Sequence, residues 1–406
     1  MQGLCSTPLV ENGRLWVVTN RCELLCLSTT GGKDQEAEVV WRLDMWEKLG
    51  VRPHNMSTSS PAGWKNLVFV VTGNGVDNSH ITIPAPDAPS FIAVDKDMGH
   101  VVWTDNSPGK NILHGQWGSP AIGVLGGVPQ VIFPGGDGWL YSFHAEKYAG
   151  GKPLLLWKFD ANPKDAKWQL GGRGTRNNIV SVPLIYEDRV YFTVGQDPEH
   201  GDGPGALYCL DPTRRGDVSP ALVVHADDRG RLVPHRRNLA VEPERGETTI
   251  ANPNSALIWR YDSFDINKDG KIDFEEQFHR SIATPVIKDD LLFVNDFDGL
   301  MHCVDLATGR PHWTADMWAM CWGSPLLVND HVYLADEDGD IAIFRASADP
   351  KLSLDASAKD EAGRIYATPR SEINMENTVY TTPVMSGGIL YISNRTHLFA
   401  IEPEKP

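Results

Sequence analysis

A short motif built around a proline recurs seven times along the chain, and this repeat limits the folds that the sequence can adopt. Its copies are STPLV, SSPAG, GSPAI, SVPLI, ATPVI, GSPLL and TTPVM, with the prolines at positions 8, 61, 120, 183, 285, 325 and 383. Each copy leads into a β-rich run such as GRLWVVTN, and then through a polar turn into a second run such as ELLCLS. Short runs of this composition between turns are typical of β-strands. The chain is therefore predicted to be all-β, with seven visible repeats.

Five of the units continue into a further run that contains a tryptophan, at positions 41, 103, 157, 259 and 313. In two units the register is identical, because the Asp, Gly and Trp at 95, 99 and 103 recur at 305, 309 and 313. Asp and Gly favour a turn, and an indole suits packing between neighbouring sheets. Four short strands in each repeated unit predict a β-propeller of four-stranded blades, with residues 1–406 forming a single domain.

The cysteines fit the same repeat. Cys26, Cys209 and Cys303 occupy one repeat position, which other units fill with Ala93, Ser142 and Ala400. The six cysteines include no pair of C-x-x-C motifs and no metal-ligand spacing with histidine. We therefore expect these three to be small core residues on separate blades, rather than redox or metal-binding groups.

Charge and hydropathy exclude some classes of partner. The formal net charge is -16, which disfavours nucleic acid and anionic membrane surfaces, because both require clustered Lys and Arg. No apolar run reaches the length of about 18 residues that a membrane span needs. The first residues, MQGLCSTPLV, lack the basic and apolar regions of a signal peptide.

The segment SFDINKDGKIDFEEQF, residues 263–278, has the spacing of an EF-hand calcium loop. Its predicted ligands are Asp265, Asn267, Asp269, Lys271 through its carbonyl, Asp273 and Glu276. The segment is predicted as an insertion over 262–280, between the fourth and fifth visible blades. ALIWRYDSF before it is expected to form an outer strand, and FEEQFHR a short exit helix. Because a sensor opens a pair of helices, we expect a structural calcium site, with a vestigial loop as the alternative.

Chain direction within a blade groups the remaining candidate site residues. The turns between second and third strands share one face, here called the top face, with the links from each outer strand to the next first strand. Loops on a rigid scaffold often carry binding residues, so a ligand site is predicted there. The alternative is ordinary turn chemistry. The candidate residues are His54, His80, His114, Asp137, Arg173, Arg176, Asn177, His200 and Trp322.

An insertion over 212–258 follows the third strand of the fourth unit. It contains the basic stretches PTRRGDVSP and DDRGRLVPHRRN. Its starting point predicts that it projects from the bottom face as a solvated, partly disordered loop. Docking of an acidic partner on its basic clusters is the alternative.

The repeat resembles that of the bacterial pyrroloquinoline quinone (PQQ)-like β-propeller proteins, which include the outer-membrane assembly lipoprotein. The similarity is greatest to a group common in planctomycetes, through stretches such as PHNMSTSSP, ILHGQWGSPA, PQVIFPGGDGWLY and VGQDPEHGDG. Members of that group usually have an export signal and one more blade upstream. The resemblance therefore implies an eight-bladed ring truncated at its N-terminus, with a closed seven-bladed ring as the alternative, and a periplasmic or otherwise extracytoplasmic location.

Two classes of function follow from this resemblance. The first is a non-catalytic binding or scaffold propeller that presents its top-face loops to a protein, a glycan or a small molecule. The second is a PQQ-dependent dehydrogenase, which needs a quinone cavity and an acidic base. Quinone-dependent alcohol dehydrogenases hold the cofactor between a tryptophan and a disulfide of adjacent cysteines, and this chain has no adjacent cysteines. The expectation is therefore a binding propeller with calcium, and a PQQ-dependent dehydrogenase that binds PQQ is the alternative.

Overall fold

The computed structural model describes residues 3–32, 36–169, 174–196, 199, 203–355 and 367–402. Its residues group into two compact units. Unit 1 comprises Met1–Val190, Glu199–Gly201 and Leu210–Ile258, and unit 2 comprises Tyr191–Pro198, Asp202–Cys209 and Trp259–Pro406. The prediction of a single domain over the whole chain stays a prediction.

Unit 1 contains antiparallel sheets whose neighbouring strands are consecutive in sequence. The first sheet is β1 (Leu9–Glu11), β2 (Arg14–Thr19), β3 (Glu23–Ser28) and β4 (Val39–Asp44). The second is β5 (Ala62–Trp64), β6 (Leu67–Val71), β7 (Phe91–Asp95) and β8 (Val101–Asp105). The third contains β9 (Ala121–Leu125), β10 (Val128–Pro134), β11 (Trp139–Ala149) and β12 (Lys152–Asp160).

The fourth sheet along the chain is not assigned to one unit. It has the order β13 (Leu184–Tyr186), β14 (Arg189–Val194), β15 (Ala206–Leu210) and β19 (Leu257–Tyr261). Between β15 and β19 the insertion forms three strands: β16 (Gly216–Asp217), β17 (Ala221–His225) and β18 (Glu247–Ala251). β16 joins the third sheet beside β12, and β17 and β18 form a hairpin.

Unit 2 repeats the four-stranded pattern. One sheet is β20 (Val286–Lys288), β21 (Leu291–Asn295), β22 (Leu300–Asp305) and β23 (Pro311–Asp316). The next is β24 (Leu326–Val328), β25 (His331–Ala335), β26 (Asp340–Arg345) and β29 (Ser371–Asn374), with a small pair β27 (Leu354–Asp355) and β28 (Thr368–Pro369). The last described sheet is β30 (Val384–Ser386), β31 (Ile389–Ser393) and β32 (Leu398–Ile401).

Helices are short. Those in the described residues are α1 (Met45–Leu49), α2 (Pro350–Ser353) and the 3-10 turns Gly109–Asn111, Pro243–Arg245 and Phe274–Glu276. None of the helices in the described part of the chain has the length and apolarity that a membrane crossing requires. The all-β prediction is confirmed.

The repeat motif sets the start of every unit. Each first strand begins at the residue directly after a repeat proline, from Leu9 after Pro8 to Val384 after Pro383, because a residue without an N–H is tolerated at a strand start. The hydroxyl residue before the proline links neighbouring sheets. In unit 1, Ser60 N–H donates to Ser119 Oγ at 2.9 Å, and in unit 2, Thr284 N–H donates to Ser324 Oγ at 2.9 Å. The Ser/Thr-Pro pair therefore combines a strand start with a bond between sheets.

The third strand of each sheet has a small residue at one position, as the repeat predicted. Cys26 is the cross-strand partner of both Trp16 and Trp41, and Cys303 is the equivalent partner of Phe293 and Trp313. A small side chain is required there because aromatic rings flank it on both neighbouring strands. Cys209 lies on β15 and is buried as well.

The Asp-Gly-Trp register also has a packing cause. Gly99 has a φ of +69°, and a Cβ at this position would lie 2.7 Å from the ring of Trp41 in the preceding sheet. In unit 2, Gly309 has a φ of +72°, and a Cβ at this position would lie 2.5 Å from the ring of Trp259. The glycine therefore supplies both the left-handed turn and the space for the indole of the neighbouring sheet.

The insertion over 212–258 does not project from the bottom face as predicted. Between β17 and β18 its loop returns to top-face residues, where Arg237 Nη1 donates to the carbonyl of Ile81 at 2.7 Å. The direction of the third strand determines only where the insertion begins. Buried apolar residues such as Val218 and Val224 then give it a packed face, so the prediction of a solvated loop was wrong.

Candidate functional site

Four polar residues of unit 1, each from a different connection between strands, lie close together. His54 lies between β4 and β5, His80 between β6 and β7, His114 between β8 and β9, and Glu199 between β14 and β15. One ligand atom from each of the four lies within 4.8 Å of the others. Three of them are residues that the sequence singled out. We call these four residues the histidine cluster.

The backbone of residues 74–76 holds two of these connections together. Gly75 N–H donates to the carbonyl of Arg52 at 2.9 Å, and Val76 N–H donates to the carbonyl of His114 at 3.0 Å. A Cβ at Gly75 would lie 2.8 Å from His54 Cβ and 2.8 Å from the His114 carbonyl oxygen. Only glycine therefore allows the connections that carry His54 and His114 to approach this closely.

The three imidazoles pack against one another. The ring centroids of His54 and His114 are 4.1 Å apart, and His80 lies 4.8 Å from each. The rings of His54 and His114 are buried, at 2% exposure each. The edge of Trp117 closes one side, with its centroid 5.0 Å from that of His114.

The carboxylate of Glu199 faces two of the imidazoles. Its Oε2 lies 3.7 Å from His54 Nε2 and 3.6 Å from His114 Nε2. Its Oε1 accepts a hydrogen bond from Asn55 Nδ2 at 3.0 Å, and the side chain is 47% exposed. Asn55 and His80 both have left-handed backbone, with φ of 58° and 61°, a conformation that a non-glycine residue adopts at a cost.

Asp137 lies elsewhere in unit 1, where its side chain contacts neighbouring residues through hydrogen bonds. Its Oδ2 accepts from Tyr141 Oη at 2.7 Å and lies 3.2 Å from His235 Nε2. Trp139 Nε1 donates to His235 Nδ1, so the proton of the neutral ring is on Nε2 and points at Asp137. Burial is the main cause that raises the pKa of Tyr141 well above its usual range, and the charge of Asp137 is the second. Asp137 therefore holds the insertion to the third sheet through His235.

Arg176 and Asn177 are buried next to the end of β12. Arg176 Nη2 lies 4.0 Å from Asp160 Oδ1, and Asn177 N–H donates to Asn162 Oδ1 at 2.7 Å. Burial alone would raise the pKa of Asp160, but Lys164 and Arg176 outweigh it and hold that pKa below its usual value. At 4.0 Å the contact between Arg176 and Asp160 is an ion pair without a hydrogen bond.

The other top-face candidates do not join the histidine cluster in the described residues. Trp322 belongs to unit 2, where its Nε1 donates to Glu337 Oε1 at 2.6 Å and its ring edge contacts Phe297. Arg173 and His200 lie outside the described residues. Whether these positions bind a ligand stays a prediction.

The calcium-type loop of unit 2 is closed by its own acidic groups. Asp265 Oδ2 accepts from Gly270 N–H at 2.9 Å, and Gly270 has a φ of +85°. Glu276 is buried, and its Oε1 accepts from the N–H groups of Ile266 and Asn267 at 2.8 and 3.0 Å. The loop follows strand β19 and leads into the 3-10 turn Phe274–Glu276, so it lacks the flanking helix pair of a sensor.

Sequence reasoning missed Glu199. The sequence predicted His200 as the top-face residue of this loop, and not the adjacent Glu199. The available signal was a carboxylate on the same predicted face as three histidines, since mixed imidazole and carboxylate sets are common at metal sites.

The comparisons with known proteins concern the fold. A family model described as outer membrane protein assembly factor BamB matches residues 244–351. A search of curated proteins finds no significant match. Among solved structures, BamB from Moraxella catarrhalis is 13% identical with a TM-score of 0.54, over 98% of this chain and 82% of that one.

Quinohemoprotein alcohol dehydrogenases are also among the structural matches, at lower similarity. The enzyme from Pseudomonas putida is 13% identical with a TM-score of 0.44, over 96% of this chain and 69% of that one. The enzyme from Comamonas testosteroni is 13% identical with a TM-score of 0.45, over 97% and 70%. At these identities the comparisons bear on fold and not on activity. The chain therefore has the fold of a PQQ-like β-propeller, similar to that of BamB.

Proposed function

We propose that this chain is a non-catalytic binding or scaffold propeller whose top-face connections form its ligand site. The observation that carries the proposal is the convergence of His54, His80, His114 and Glu199 from four separate connections. Asn55 and Glu199, which bond to each other, are 144 residues apart in sequence. Side chains gathered in this way on a rigid sheet scaffold are typical of binding sites.

The surroundings of the Asp137 carboxylate favour a binding protein over a dehydrogenase. A dehydrogenase base must face the substrate carbinol, whereas Asp137 is buried and accepts hydrogen bonds from Tyr141 and from the Trp139 backbone. The alternative, a PQQ-dependent dehydrogenase, predicts that purified protein with PQQ and calcium reduces an artificial electron acceptor when alcohols or sugars are added. A binding propeller should not reduce the acceptor under these conditions. Quinone-dependent turnover would overturn the proposal.

The proposal also includes a structural calcium ion in the loop 265–276. Oxygen donors, a left-handed glycine at position six and a buried Glu at position twelve suit calcium. Asp265→Ala should remove high-affinity calcium binding in an isothermal titration while the β-sheet circular dichroism is retained. Glu275→Ala, at the exposed neighbour of Glu276, is the matched control and should titrate like the parent. Equal calcium binding by both variants would contradict the assignment.

The partner is proposed from chemistry and resemblance. A protein, a glycan or a small molecule outside the cytoplasm fits a propeller of this type, and the net charge of -16 disfavours nucleic acid. Binding can be tested with a panel of envelope glycans and short peptides on a sensor surface. The half-exposed Glu199 is the residue to change, to Gln, and Glu275→Gln is the control. A ligand that binds both variants equally would place the binding site elsewhere.

A further inference from the structure

We propose that His54, His80, His114 and Glu199 bind a divalent transition-metal ion of the zinc class. This site is separate from the calcium loop of unit 2 and does not depend on it. The four ligand atoms lie within 4.8 Å of one another. In a tetrahedral zinc site with bonds of about 2.0–2.1 Å, neighbouring ligand atoms are about 3.3 Å apart. Small rotations of side chains that already meet would therefore bring the four atoms to bonding distance.

The tautomer of His54 is determined by the backbone. Its Nδ1 lies 3.0 Å from the carbonyl oxygen of Val76, and a carbonyl can only accept, so Nδ1 must carry the proton. In the neutral ring, Nε2 then has a lone pair. That atom is buried, has no hydrogen-bond partner among the residues that the structure describes, and faces Glu199. A metal-ligating histidine typically donates its other N–H to a carbonyl in this way.

The distances between the imidazole nitrogens and the Glu199 carboxylate suit a metal ion better than a shared proton. Glu199 Oε2 is 3.7 Å from His54 Nε2 and 3.6 Å from His114 Nε2, distances too long for hydrogen bonds. Protonation of all three rings would place like charges on centroids 4.1–4.8 Å apart. One divalent ion would instead be shared by the lone pairs and the carboxylate.

The carboxylate is oriented as a ligand should be. Asn55 Nδ2 donates to Glu199 Oε1, which leaves Oε2 directed at His54 and His114. Partners that fix one oxygen of a ligating carboxylate are typical of the shell around a metal. The side chain of Glu199 is half exposed, so an ion from solvent would meet this ligand first.

The donor set selects the metal. Three imidazole nitrogens with one carboxylate oxygen suit zinc, copper, nickel or iron in the divalent state, whereas calcium and magnesium prefer oxygen ligands alone. Four protein ligands complete a tetrahedral sphere, as in structural zinc sites, whereas a catalytic zinc usually has three protein ligands and a water. The proposed ion would thus connect four loops rather than activate water.

The test uses the full chain, stripped with a chelator and dialysed. The parent protein should bind one equivalent of Zn²⁺ or Co²⁺ with a rise in melting temperature, and Co²⁺ should give the visible spectrum of a tetrahedral site. Glu199→Gln retains an acceptor for Asn55 but loses the charge, and it should weaken Zn²⁺ binding by about 10- to 100-fold. His54→Ala should weaken it at least as much. His100→Ala, an exposed histidine of unit 1, should bind like the parent.

Each outcome decides the proposal. Glu199→Gln is expected to fold like the parent, because the side chain of Glu199 is half exposed. A loss of Zn²⁺ affinity in this variant can therefore be assigned to the site. Equal Zn²⁺ affinity in the parent, Glu199→Gln and His54→Ala would overturn the site, as would failure of the parent to bind Zn²⁺, Co²⁺, Ni²⁺ and Cu²⁺. Asp265→Ala should bind Zn²⁺ normally while it loses calcium. Loss of zinc binding together with calcium would show that the proposed site is not independent. Glycan or peptide binding is measured separately, so its failure does not affect the metal assignment.

Discussion

His54 donates a hydrogen bond from Nδ1 to the carbonyl oxygen of Val76 at 3.0 Å. This single contact determines which nitrogen of the ring carries a proton, and it joins the connection after the first sheet to the connection inside the second. Val76 in turn donates its own N–H to the carbonyl of His114. The two histidines are therefore positioned by one stretch of backbone, and a change in that stretch should act on both.

Substitution of Gly99 should reveal the packing cause of the repeat. Gly99→Ala must adopt a φ of +69° and also place a methyl group 2.7 Å from the ring of Trp41. Strain and overpacking together should lower the free energy of unfolding by about 2–5 kcal/mol. Gly150→Ala has a similar φ, +56°, but meets nothing within 4 Å, so it should cost only about 1–2 kcal/mol. Urea denaturation measures both, and equal losses would exclude the indole as a cause.

Thiol reactivity should follow burial. Cys5 is exposed, whereas the other five cysteines are buried and all six are free. Burial raises the pKa of Cys22 to about 11 and that of Cys321 well above its usual range, which lowers the thiolate fraction further. An aromatic disulfide reagent should therefore titrate one thiol rapidly in the native protein and six in denaturant. Non-reducing mass spectrometry should find no disulfide, and one between Cys26 and Cys303 would contradict their placement on separate sheets.

Asp336 should make stability depend on pH. Burial raises its pKa to about 6, although it accepts backbone N–H groups from Asp340 and Asp338. The folded protein then holds this proton more tightly than the unfolded chain. The associated stability is present below the usual carboxyl pKa and is lost as pH rises through about 6.

Asp336→Asn removes the titrating group and retains an acceptor oxygen. The difference in melting temperature between pH 4.5 and pH 7.5 should therefore be smaller in this variant than in the parent. Asp289→Asn, at an exposed carboxylate of unit 2 outside this turn, is the control and should change the difference little. If Asp336→Asn has the same pH dependence of melting temperature as the parent, other titrating groups cause that dependence.

Strand positions could be predicted from the sequence because each depends on a local chemical requirement. A proline fits at a strand start, and a small residue is required at positions 26 and 303 between two aromatic rings. The convergence of His54, His80 and His114 followed from strand direction. Glu199 did not, because a single carboxylate on a long loop has no periodic signal. The insertion was placed on the wrong face because the contacts of Arg237 with Ile81 and Leu113 are non-local.

Arg237 connects that insertion to the proposed metal site. Its Nη1 donates to the carbonyl of Ile81 at 2.7 Å and its Nη2 to the carbonyl of Leu113 at 3.0 Å. These residues directly follow His80 and directly precede His114. The guanidinium also stacks on Trp168 at 4.0 Å. Burial lowers its pKa to about 10, so it remains charged at neutral pH.

Arg237→Ala should therefore loosen two of the four ligand connections and weaken Zn²⁺ binding by about tenfold, as expected for a group that orients ligands without touching the metal. Arg229→Ala is the matched control, because Arg229 is an exposed arginine of the same insertion. The measurement is Zn²⁺ affinity by competition with a chromophoric chelator, together with the melting temperature of the metal-free protein. If Arg237 only packs the insertion, the melting temperature should fall while Zn²⁺ affinity per folded molecule stays equal to that of Arg229→Ala. A loss of affinity at unchanged metal-free stability would instead identify Arg237 as a positioning residue of the histidine cluster.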